Sequence, residues 1–155
     1  MTNPFPFTSG NILSASELNA IGAWTAFTPT WGSVTLGGSG TTNGVYAQVN
    51  DIVFWEAQFD LNGTGSITGQ INMNLPVGTS PRSITSPTAM SGWARPTGGS
   101  IYDVSGFTSA TECFFYGLFS SGASGWSTLT ALNATQPATW NVNGNLSVSG
   151  WYELT

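Results

Sequence analysis

GVYAQVNDIVFWEAQFDLNGTGSITGQINMNLP, residues 44–76, decides the fold. Val45 to Val49 is a first run of strand-forming residues, and Asn50-Asp51 is a turn. Ile52 to Leu61 is a longer run rich in β-branched and aromatic side chains. Asn62-Gly63 follows, and a type I′ hairpin turn needs positive φ, which Asn and Gly tolerate. The third run alternates. Ile67, Ile71, Met73 and Leu75 fall on one face, and Thr68, Gln70, Asn72 and Asn74 on the other. A period of two predicts a strand with one buried and one wet face, which a 3.6-residue helix would scramble.

Outward from this centre the reading stays all-β. Ser33 to Leu36 is a short strand, and residues 37–44 form a glycine-rich loop. That loop has neither the Lys nor the following helix of a phosphate cradle. Further strands are expected over Thr88–Ala94, Ser100–Val104, Glu112–Phe119, Ser127–Leu132 and Asn145–Leu154. A strong strand at the C-terminus implies that it is tied into a sheet. The expectation is a single β-sandwich or jelly-roll-like domain of eight to nine short antiparallel strands over residues 23–155.

Residues 1–22 read differently. Met1 to Phe7 holds two prolines and two phenylalanines with no period, so an extended arm is expected. Leu13 to Gly22 reads as one short helix. Ser14 and Glu17 form a capping box, and Leu18 and Ile21 give the helix an apolar edge. A helix this short is stable only when docked. Phe5, Phe7, Leu13, Leu18 and Ile21 are therefore the candidate attachment residues.

Composition narrows the function. Of 155 residues, 6% are charged, against about 25% in average proteins. The net charge is −5, with Arg82 and Arg95 the only basic side chains. Two cations cannot neutralise a phosphate backbone, so nucleic acid is not an expected partner. No run approaches the roughly 20 apolar residues of a membrane-spanning helix, and the opening residues do not read as a signal peptide. There is no His, and Cys113 lies in the apolar run ECFFYGLF, so it reads as a buried small hydrophobe. No D-x-D-x-D loop is present, so no metal is expected, and no cofactor. Glu56 and Asp60 share one strand face but sit about 13 Å apart along the backbone, wider than a glycosidase pair requires. No catalytic residue is assigned and no enzyme is expected.

The opening also carries a resemblance. Phe7, Gly10, Leu13, Ala15, Leu18 and Asn19 follow a pattern similar to the start of many short phage virion proteins. Thr28-Pro29-Thr30-Trp31, Tyr46 before Asn50-Asp51-Ile52-Val53, and Asn74-Leu75-Pro76 resemble the β-domains of phage capsid-decoration, head-fibre and tail-fibre proteins. The resemblance covers roughly the first half of the chain. It implies a homotrimer on the virion surface, assembled in the host cytoplasm, with residues 1–22 attached to the particle. Seven tryptophans, more than one small core needs, agree with burial of some rings between subunits. The favoured role is a capsid decoration (cement) protein or head fibre bound to the major capsid protein. The alternative is a tail-fibre or receptor-binding protein held by a tail protein. There Trp93, Trp126 and Trp140 would stack on host glycans, unless they are core or interface residues.

Overall fold

The alternation over Ile67 to Leu75 appears in three dimensions as expected. Ile67, Ile71 and Met73 are buried and Leu75 half-buried, while Thr68 and Asn74 are exposed. The computed structural model describes residues 22–78, 90–97, 99–120 and 127–154. The arm, the helix apart from its last residue Gly22, and the attachment residues Phe5, Phe7, Leu13, Leu18 and Ile21 lie outside them.

Ten strands form among the described residues: β1 Thr25–Phe27, β2 Trp31–Thr35, β3 Thr41–Val49, β4 Ile52–Asp60, β5 Ser66–Asn74, β6 Met90–Arg95, β7 Tyr102–Thr108, β8 Glu112–Ser120, β9 Ser127–Ala131 and β10 Asn145–Glu153. They make one sheet in the order β1-β3-β4-β10-β6-β7-β8-β5-β2, with β9 paired to β8. Every pairing is antiparallel. The fold is all-β, with no helix among the described residues.

The sheet curls until its far ends meet. Trp31, on the last strand in that order, packs edge-on against Phe59 of β4 at 4.9 Å and lies 5.9 Å from Phe115 of β8. Its Nε1–H donates to Thr42 Oγ1 of β3 at 2.8 Å, and that hydroxyl donates to the Gln58 carbonyl at 2.9 Å. Curling follows from strand twist and from the need to cover the apolar inner face. Trp55, Phe59, Ile71, Phe115, Leu146 and Tyr152 lie fully buried in the enclosed core.

Four sequence expectations are corrected. Asn62-Gly63 is not a hairpin turn, because β4 and β5 do not pair; they lie far apart in the sheet order. Gly63 has φ 55 and Gly65 N–H bonds to the Asn62 carbonyl at 2.9 Å, so a tight turn does form. However, the flanking backbone is held by other segments. Asn62 N–H donates to Leu36 O at 2.9 Å, Leu61 N–H to Gly144 O at 2.8 Å, and Asn143 N–H to Leu61 O at 3.0 Å. These bonds turn the chain across the core. The hairpin forms instead at Asn50-Asp51, where Val49 faces Ile52 and Asn50 takes φ 53.

The glycine-rich loop is also shorter than expected, since β3 starts at Thr41. Gly44 is a ladder residue whose missing side chain makes room for the Phe27 ring; a Cβ there would lie 2.5 Å from Phe27 Cε1. Finally, β1 was not anticipated, and β7 runs to Thr108 rather than ending at Val104, because Ser105 to Thr108 pair with β8.

Tyr152 fastens the inner end of β10. Its hydroxyl donates to Val77 O at 2.6 Å and accepts from Val77 N–H at 3.2 Å. Burial pushes this phenol well above its usual value, partly opposed by the Val77 hydrogen bond. Burial, with the nearby Glu112 charge second, likewise raises the Cys113 thiol. Groups whose pKa rises on folding stabilise the fold fully below their unfolded pKa and lose that contribution as pH climbs. Stability should therefore fall from about pH 8.5 through Cys113 and more steeply above about pH 10 through Tyr152. Chemical denaturation across pH checks this: C113A should remove the lower part of the slope and Y152F the upper. At neutral pH, Y152F should cost about 1–3 kcal/mol by leaving Val77 unpaired.

Candidate functional site

Along β4 the odd residues Val53, Trp55, Ala57 and Phe59 point into the core, so the even ones must face out. That outer set contains Phe54 and Glu56, and register carries it across neighbouring strands. Phe54 lies opposite Trp151 of β10. One step along, Glu56 lies between Val45 of β3 and Ser149 of β10, and Ser149 faces Ser91 of β6. The next row pairs Gln58 with Ser147, and Ser147 with Trp93.

The result is an aromatic-rimmed groove. Trp24 (56% exposed), Phe54 (42%) and Trp151 (36%) stand at one end, and Trp93 (39%) at the other. Ser91, Gly92, Ser147 and Ser149 make a low floor between them. The depression beside Trp24, Phe54 and Trp151 has a volume of about 310 Å³, at the lower end of small-molecule pockets. Two further depressions of about 260 Å³ adjoin it, one toward Trp93 and one toward β3. Glu56 lines all three. Its carboxylate and the indole N–H groups of Trp24, Trp93 and Trp151 make no hydrogen bond to another described residue.

The other acids are placed differently. Glu112 accepts from Asn72 Nδ2 at 2.8 Å, and Asp60 from Thr41 Oγ1 at 3.4 Å, each cross-linking adjacent strands. Among the described residues no group of three or more His, Cys, Asp or Glu could hold a metal ion.

A second apolar area lies farther round the sheet. Phe107 stacks between Phe114 and Tyr116 at 5.5 and 5.4 Å. Beyond it the cross-strand pair Leu118 and Leu129 is 69% and 58% exposed.

Of the tryptophans singled out from sequence, Trp93 lies at the groove rim. Trp140 is buried against Phe59 at 5.9 Å, with its Nε1–H donating to Asn133 O at 2.9 Å, so it is a core residue with no face to offer a ligand. Trp126 lies outside the described residues. Sequence reasoning missed Trp24, Phe54 and Trp151. The signal for Phe54 was present: Glu56, Gln58 and Asp60 mark the even face of β4 as the wet one, and Phe54 shares that parity.

No family model, no curated protein and no solved structure matches this chain.

The two tryptophan environments separate in a stability measurement. W151A should cost less than about 1 kcal/mol, the scale of one cross-strand aromatic pair. W140A should cost about 3–5 kcal/mol, because it empties a core site. Denaturant unfolding of both variants gives the comparison.

Proposed function

We propose that this protein is a non-catalytic surface component of a phage particle: a jelly-roll-like knob displayed outward and fastened through residues 1–22. One observation carries the reading. The chain is only 6% charged, and the outward side of the sheet bears large exposed rings, Trp24, Phe54, Trp93 and Trp151. Sparse charge on that scale suits a stationary surface that works by contact rather than by long-range attraction. Exposed aromatic groups of this size mark contact surfaces.

The resemblance of Phe7, Gly10, Leu13, Ala15, Leu18 and Asn19 to phage virion openings supports the attachment role of the leading segment. The favoured partner is the major capsid protein, with the chain as a decoration protein or head fibre; a tail protein is the alternative. Self-association into a homotrimer belongs to the same reading, and Leu118 and Leu129 are the side chains best suited to a contact between copies.

Deletion of residues 1–22 should abolish binding to empty capsids of the parent phage, or to its tails, and leave the β-domain folded and still trimeric. Co-sedimentation with particles and light scattering of the truncated chain measure the two outcomes. Full binding by the truncated chain would refute the attachment role, and a monomer at micromolar concentration would refute the trimer.

A further inference from the structure

We infer that the groove on the outer face of β4, β10 and β6 binds a neutral oligosaccharide. This rests on the surface-protein reading above and names the ligand of that face. The argument is complementarity. A sugar ring has an apolar C–H face and a rim of hydroxyls, so it needs a flat aromatic surface beside hydrogen-bond acceptors and donors. The groove supplies both in one place. Phe54 and Trp151 are directly opposite each other across β4 and β10. The Glu56 carboxylate and the Ser149 hydroxyl occupy the adjacent row.

Charge decides which sugar. Glu56 lines all three depressions, and no cation among the described residues lines any of them. With the whole chain at −5, an acidic glycan, a nucleic acid or an acidic peptide would be repelled. An extended apolar partner fits poorly as well, because it would bury the carboxylate and the serine floor without hydrogen bonds. A neutral polyhydroxyl chain meets each requirement. Its hydroxyls bond to a carboxylate that no other described residue engages, a charge-assisted interaction stronger than one between neutral groups.

Length follows from the lattice of the sheet. Trp151 and Trp93 lie on adjacent strands, two rows apart, because Trp151 pairs with Phe54 and Trp93 with Ser147. At about 3.4 Å per residue and about 4.8 Å between strands, their backbones are roughly 14 Å apart. One sugar ring cannot span that distance, so the ligand is an oligomer stacked at both ends of the groove. The serine and glycine floor between the two tryptophans leaves its middle units room to lie down.

The test uses the full-length chain, calorimetric titration and a fixed panel. The neutral probes are maltoheptaose, cellohexaose, chitohexaose and a mannan oligosaccharide, and sialyllactose is the acidic control. At least one neutral probe should bind saturably with a Kd below about 1 mM. W151A and F54A should each weaken that binding roughly threefold to tenfold, and E56Q should weaken it similarly. Sialyllactose should not bind. Both aromatic positions are on the outer surface, and an unfolding curve confirms that each variant is folded. Failure of all neutral probes, binding unaffected by the variants, or equal binding of sialyllactose would overturn the assignment. So would loss of self-association in W151A with sugar binding intact, which would make the groove an interface between copies. Binding seen only after residues 1–22 are removed would show that the leading segment occupies the groove, and would also overturn it. Particle co-sedimentation of W151A is run in parallel. Particle attachment by the unaltered chain with no binding of any neutral probe defeats this inference alone, whereas lost attachment in W151A defeats the surface-protein reading.

Discussion

The pairing of β10 on both of its edges holds the molecule together. Its nine residues meet β4 along their whole length, from Asn145 opposite Asp60 to Glu153 opposite Ile52, and its first five also meet β6. Without β10 the described sheet has no ladder joining β1-β3-β4 to β6-β7-β8-β5-β2. The strand that completes the sheet is thus the last of the described strands. Its partners lie about a hundred and about fifty residues upstream, so the loop-closure entropy is spent on strongly non-local contacts. Leu146, Val148 and Tyr152 repay that cost by filling the core, and Tyr152 adds two hydrogen bonds to Val77.

The same strand creates the outer groove. By placing Trp151 beside Phe54 and Ser149 beside Glu56, it brings together side chains from positions separated by almost a hundred residues. Burying the odd residues of β4 in the core forces the even ones outward, because strand side chains alternate. Core and surface site are therefore two sides of one register. A slip of one residue would move Trp55 and Phe59 into solvent and Phe54 and Glu56 into the core, a change no sheet with a buried face tolerates.

The chemistry of the outer face is coherent with a chain that carries few charges. Glu112 and Asp60 are used to cross-link strands, and Glu56 makes no hydrogen bond to another described residue. Rings and hydroxyls do most of the remaining work at the surface. Such a face gains little from electrostatic steering and much from close contact.

Much of the architecture was legible in the residues alone. Alternation over Ile67 to Leu75 and the apolar parity of Val53, Trp55 and Phe59 identify strands and their buried faces, because period two is a local property of the chain. The turn at Asn50-Asp51 and the strand status of residues 145–153 are local as well. What the residues did not disclose was who pairs with whom. Asn62-Gly63 has the stronger hairpin chemistry, yet bonds from Leu36, Asn143 and Gly144 carry that segment across the core instead. Trp140 and Trp151 look alike in the chain, and only their neighbours make one a core residue and the other a rim of the groove. Local sequence settles which way side chains alternate. Long-range backbone pairing settles which strands become neighbours, and so which side chains share a surface.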